Sequence, residues 1–257
     1  MLLLLSPAKT LDETPLTKDV TATQPEFLKE ACMLIEILQS YSHEDIASLM
    51  HVSDAIAALN VARYQSFTLP LNKDNAKPAL FSFKGDVYKP IEADTYSDAQ
   101  LEFAQHHVRI LSGLYGILRP LDYLYPYRLE MGTALPNSTG KNLYAFWGDK
   151  ITKAINASLV CSTNNIVLNV ASTEYSKVVQ PKYITGRYIT VNFKERKGDD
   201  YKTIGIHAKK ARGLFANFVI KNTIDAIEDI KEFNEAQYYY SPALSNESII
   251  TFIRDCV

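Results

Sequence analysis

The densest run of chemically capable side chains extends from Leu111 to Asp122 and on through Tyr127, Arg128, Leu129, Glu130, Met131, Gly132 and Thr133. An apolar stretch from Val108 to Leu111 reads as a buried strand, and Ser112-Gly113 and Tyr115-Gly116 then bend the chain where strands deliver groups to a cleft. Arg119 and Arg128 fall in the same excursion, interleaved with Tyr115, Tyr123, Tyr125 and Tyr127. Cations alternating with stacking rings, and glycines that permit close approach, suit a phosphate or a nucleobase. The same residues also suit a packed loop in which Arg119 pairs with Asp122 and Arg128 with Glu130. Sequence alone leaves both open.

Three further places offer anion contacts. Ser6-Pro7-Ala8-Lys9 follows the apolar Met1–Leu5 run, and Lys84-Gly85-Asp86 follows another short apolar run, Ala79–Phe83, which reads as a strand. Lys209, Lys210 and Arg212 open a helix expected from His207, with Ala211, Leu214, Phe215, Phe218 and Val219 as its core stripe. Cations at a helix start oppose the dipole, which makes them reasonable partners of a bound anion or of nearby acids such as Glu174 and Glu195. From Lys177 to Lys221, Lys194 included, there are 11 Lys/Arg against 3 Asp/Glu, whereas Asn222 to Val257 is acidic. One face is therefore expected to be basic despite a formal net charge of −2. Ser172 and Tyr175 follow the strand expected at Ile166–Val170, so Ser6, Ser112, Tyr115, Ser172 and Tyr175 form an expected cleft rim.

The elements that position these groups alternate between the two periods. Helices are expected at 25–40, 98–107 and 142–158, the last with Trp147 in its apolar stripe. Tyr188–Phe193 and Tyr201–Ile206 read as a hairpin turned at Lys197–Asp200, and the tail as a short helix, a strand at Tyr238–Tyr240 and a last helix from Glu247. Residues 44–66 read as two short helices joined by a turn at His51, Val52 and Ser53, similar to a helix-hairpin-helix in which the turn lays backbone N–H groups against a DNA phosphate. His51 and Ser53 stand where that pattern has glycine, so an ordinary pair of helices fits as well.

With 47% hydrophobic residues over 257 positions the chain can bury about three quarters of its unfolded surface, and no linker divides it. Cys32, Cys161 and Cys256 lack metal or disulfide spacing, and the apolar N-terminus ends at Ser6-Pro7 without a basic segment before it. A reducing cytoplasm, no membrane span, no metal and no cofactor are expected. Nucleotide-binding and zinc-protease motifs are missing; Ser6 and Lys9 have the spacing of some serine acyltransferases, but the companion triplets are not found. His106 and His107 have no third ligand at helical spacing.

Seven blocks in order resemble the YaaA family of bacterial peroxide-stress proteins: Ser6–Leu11, Phe83–Tyr88, Leu111–Asp122, Tyr127–Gly132, Phe146–Asp149, Ala171-Ser172 with Glu174-Tyr175, and Lys209–Gly213. The resemblance implies a single α/β domain of unusual topology, here expected as a central mixed sheet flanked by helices. It also implies a cytoplasmic protein that limits peroxide damage by lowering available iron and binds double-stranded or branched DNA through a basic cleft and a helix-hairpin-helix. The competing expectation is an enzyme on a small phosphorylated or nucleotide-like molecule. Lys9, Lys84, Arg119, Arg128, Lys194, Lys209, Lys210 and Arg212 are the expected DNA or anion contacts under either reading.

Overall fold

Four consecutive leucines, Leu2–Leu5, are buried on both faces, which only an interior strand of a sheet covered on both sides permits. The computed structural model, which describes residues 1–160 and 164–255, builds the main sheet from β1 (Leu2–Leu5), β2 (Val108–Ser112), β3 (Gly116–Leu118), β4 (Ile166–Asn169), β5 (Arg187–Lys197), β6 (Asp200–Lys202), β7 (Tyr239–Tyr240) and β8 (Ile249–Arg254). Their order is β7-β8-β5-β4-β1-β2-β3, with β6 paired to β5. The five strands from β8 to β2 are mutually parallel, and β3, β6 and β7 add antiparallel partners. Cys161 and Cys256 lie outside the described residues; Cys32 is half-buried, and burial pushes its thiol up.

Six main helices accompany the sheet: α1 (Leu28–Gln39), α2 (His43–Met50), α3 (Asp54–Gln65), α4 (Asp98–His107), α5 (Lys150–Leu159) and α6 (Gly205–Lys221). Helices α2 and α4 each begin in a capping box. The Ser42 hydroxyl accepts from the Asp45 N–H at 3.2 Å while the Ser42 N–H donates to Asp45, and Ser97 with Gln100 repeats the arrangement. The α2–α3 turn is three residues long, and His51 adopts the left-handed conformation (φ 50°, ψ 52°) that closes α2.

Four expectations need correction. Ala79–Ser82 is one turn of helix, with only Phe83–Lys84 extended. All four of its residues are buried, so apolarity could not separate strand from helix, and its form is set by Ser82 donating to the Lys77 and Pro78 carbonyls. The helix at 142–158 breaks at Gly148 into Leu143–Trp147 and α5. The described tail after Glu247 forms β8, because Ile249, Ile250, Thr251, Phe252 and Ile253 add a parallel strand beside β5, and in place of the short helix ahead of it stand 3-10 turns at Asp229–Glu232, Glu235–Gln237 and Pro242–Leu244. Finally α6 begins at Gly205, two residues early, which truncates the expected second hairpin strand to Asp200–Lys202 and moves Lys209 and Lys210 into the second turn. The dipole argument for those lysines weakens there, since the effect is confined to the first turn.

Helix α6 is seated by a backbone contact. A Cβ on Gly213 would stand 2.0 Å from the Val87 carbonyl oxygen, so only glycine lets the helix lie against the 85–91 segment. Two turns of α6 then present Phe215 and Phe218 to Phe233, with Phe193 and Phe252 of the sheet packed behind. Gly213→Ala is expected to lower stability by about 1–3 kcal/mol through overpacking. Gly205→Ala, with open space around its Cβ, is expected to be neutral or to gain about 0.5–1 kcal/mol. Urea denaturation of the two variants beside the parent chain checks both.

Candidate nucleic-acid interface at the sheet's carboxyl edge

Parallel strands β1, β2 and β4 end side by side, which brings Ser6, Ser112 and Ser172 to one edge. The Ser172 N–H donates to the Ser6 hydroxyl at 2.8 Å, and the two hydroxyls are 3.3 Å apart. Ser172 stands at a helix N-cap position but makes no side-chain cap bond, because its hydroxyl faces Ser6 instead. Tyr88 donates to the Ser6 carbonyl at 2.8 Å. Ser112 is fully buried, 2.6 Å from the Tyr127 hydroxyl, and accepts from the Tyr115 N–H at 2.9 Å. Burial raises the Tyr88, Tyr115, Tyr127 and Tyr175 phenols above their ordinary range. Tyr88 and Tyr127 were not among the expected rim residues, although each sits in a block that carried the resemblance.

Over this edge runs a strap, residues 127–134. A Cβ on Gly113 would stand 2.2 Å from the Leu129 carbonyl oxygen, and the Gly113 carbonyl accepts from the Trp147 indole N–H at 3.0 Å. The strap presents Arg128 and Glu130. Glu130 holds Lys9 through one oxygen at 2.9 Å and Arg128 through the other at 3.0 Å. The Tyr64 hydroxyl of α3 donates to the Arg128 carbonyl, which ties the second helix of the α2–α3 pair to the strap. Between the α2–α3 turn and the strap lies a pocket of about 270 Å³ bordered by Met50, His51, Arg128, Glu130, Thr133 and Glu174.

The other expected contacts fall into two groups. Lys84 and Lys77 both meet Asp12, whose carboxyl is held far below its usual range first by Thr14 and then by the lysines. Arg119 closes its own loop: its Nε and Nη2 reach Asp122 at 3.0 and 2.8 Å, and Nη2 also meets the Gln24 carbonyl. Asp122 is 1% exposed, so this guanidinium neutralises a buried acid. By contrast, Lys209 and Lys210 are exposed and have no carboxylate partner among the described residues. Lys194, half-buried on β5, is in the same position, and Arg212 has a buried Nε with no acceptor among the described residues while burial pulls its guanidinium down. Lys209 stands one turn ahead of Gly213, on the α6 face that abuts Val87. Separate links join these places: Tyr64 of α3 to the strap at Arg128, Arg128 and Lys9 to Glu130, Thr10 to Lys84 in a two-residue ladder, and Val87 to Gly213 of α6. A larger groove of about 710 Å³ lies elsewhere, between residues 11–22 and 73–78.

A family model described as peroxide stress protein YaaA matches residues 1–244. The chain belongs to the YaaA family. It is similar along 99% of both chains to UPF0246 proteins of Shewanella sp. (strain ANA-3) and Shewanella sp. (strain MR-4), each 50% identical over 257 residues, and to one of Shewanella oneidensis at 49%. In this YaaA-family chain no helix of the described residues is long and apolar enough to cross a membrane.

One polar cluster escaped the sequence reading. Glu195, 0% exposed, accepts from His207 Nδ1 at 2.7 Å and from Tyr238 at 2.8 Å and pairs with Arg254. It anchors the first turn of α6 to β5 and β8. Burial alone would raise this carboxyl, but the bonds from Tyr238, His207 and Arg254 outweigh it and hold it below the ordinary range. A depressed pKa contributes stability above the unfolded value, and that contribution is lost as pH falls through the folded one. Glu195→Gln should therefore cost about 3–5 kcal/mol near neutral pH by leaving Arg254 unpaired. The gap to the parent chain should narrow once pH drops below 4.5, as urea denaturation between about pH 3 and 7 will show.

Proposed function

We propose that this YaaA-family peroxide stress protein is a cytoplasmic DNA-binding protein that limits iron-mediated damage. The observation that carries the reading is the set of exposed cations Lys9, Lys209 and Lys210, of which the last two have no carboxylate partner among the described residues, while the α2–α3 pair is tied through Tyr64 to the strap that holds Lys9. Ser53 stands at the start of α3 without a side-chain cap bond, so the first N–H groups of that helix are open to an acceptor, and a DNA phosphate is the natural one. Asp54 in the same turn works against it, which puts the greater share of the attraction on the lysines. Lys9 is 62% exposed, and its pair with Glu130 is of the weak surface type that a phosphate can share.

A second reading, an enzyme acting on a small phosphorylated or nucleotide-like substrate in the same cleft, is favoured by the pocket beside His51 and by the hydroxyls gathered at the strand ends. The two separate by salt dependence. Duplex DNA should bind with a log–log salt slope of about −0.9 per phosphate neutralised. A Lys9→Ala, Lys209→Ala, Lys210→Ala variant should lose affinity and about 2–3 units of that slope. Fluorescence anisotropy titrations at several salt concentrations check this, and an unchanged slope and affinity would remove the lysines from the interface.

A further inference from the structure

We propose that the pocket between the α2–α3 turn and the strap holds a single unpaired nucleobase, with guanine its best match. This deepens the DNA-binding reading and rests on it only for where the base comes from. At about 270 Å³ the pocket is smaller than the roughly 300–1,000 Å³ of sites for drug-sized ligands. It has room for one ring system and none for a duplex.

Its walls differ in kind. Leu49 and Met50 supply apolar surface, and the adjacent His51 is exposed and held by its left-handed backbone at the pocket edge, where its ring can stack on a planar ligand. Opposite stand groups that match the edge of a base. Glu174 is fixed by the Gly132 N–H, which donates to Oε1 at 3.0 Å, and a Cβ on Gly132 would stand 3.1 Å from that oxygen. Its second oxygen has no hydrogen-bond partner among the described residues, and no cation pairs with the carboxylate there. Arg128 uses Nη2 on Glu130, leaving Nη1 and Nε without acceptors among the described residues.

The charges decide the ligand class. Glu130 is already matched by Lys9 and Arg128, whereas the Glu174 carboxylate is not matched by any cation of the described residues. A phosphate would meet Glu174 as a like charge, and an ammonium would meet Arg128 as one. A neutral ring that offers N–H donors to Glu174 and a carbonyl to Arg128 satisfies both. Guanine presents N1–H and N2–H beside O6 on one edge, and in a duplex that edge is taken by its complement, so only an unpaired base can offer it.

The test compares a labelled duplex carrying one bulged guanine with the same duplex fully paired, by fluorescence anisotropy, and adds free deoxyguanosine in saturation-transfer NMR. The bulged duplex should bind about tenfold tighter. Glu174→Gln should remove that preference and leave the paired duplex unaffected. Ala134→Trp, a change at an exposed residue of the pocket mouth, should do the same in a chain whose melting is unchanged, so that a folding defect in the first variant does not decide the matter. Binding of deoxyguanosine by the parent chain and not by either variant, with no bulge preference, identifies the free nucleoside as the source of the base. If neither duplex binds while deoxyguanosine does, the DNA reading fails and the pocket stands. Equal affinity for both duplexes together with no deoxyguanosine signal overturns the proposal.

Discussion

The close approach of Gly113 to the Leu129 carbonyl is the constraint on which the rest of the edge depends. A side chain at position 113 would collide with that oxygen at 2.2 Å, so the strap can lie flat over the end of β2 only because the residue is glycine. Trp147 holds the same peptide from the other side through its indole N–H. With the strap seated, Tyr127 reaches Ser112, Glu130 reaches Lys9 and the Arg128 carbonyl reaches Tyr64. The turn between α2 and α3, the end of β1 and the strap become one surface. Gly213 makes a second seat of the same kind, which brings α6 against Val87.

Electrostatics on this surface is divided by burial rather than by net charge. Arg119 and Arg254 neutralise carboxylates that water does not reach, Asp122 and Glu195. Removing either arginine would strand a buried carboxylate, so these arginines are tied to the fold. Lys9, Lys84, Lys209 and Lys210 are exposed, and two of them are held only by surface pairs. Such pairs contribute little and exchange readily for a phosphate. A chain with a formal net charge of −2 can thus keep exchangeable cations at its surface.

What was legible in the sequence followed from periodicity. The leucine run of β1, the edges of α4 and the two helices at 43–65 were readable from the sequence, whereas the caps that start α2 and α4, Ser42 and Ser97, were not read, and Ser53 at the start of α3 makes no side-chain cap bond. Two errors came from segments in which every residue is buried or apolar, Ala79–Ser82 and Ile249–Ile253, where period carries no information and tertiary pairing decides. The start of α6 was missed by two residues because Gly205 reads as a strand end, and that shift changed the meaning of Lys209 and Lys210. Glu195 left a usable signal: it continues the inward series Ile189, Val191, Phe193 on an alternating strand, and an acid at such a position demands partners. The pairing of Arg119 with Asp122, three residues apart, was visible as one of two alternatives, and only the burial of Asp122 assigns the guanidinium to it.

If the protein binds DNA as proposed, the strap, the α2–α3 turn and the start of α6 act as one surface. Hydrogen–deuterium exchange with and without a saturating duplex at low salt tests this most directly, since amide protection is read segment by segment. The prediction is joint protection of 51–55, 84–88, 127–134 and 205–212, with β1 and β4 unchanged. Protection confined to the groove between 11–22 and 73–78, or none in those segments while the duplex is bound, would contradict it.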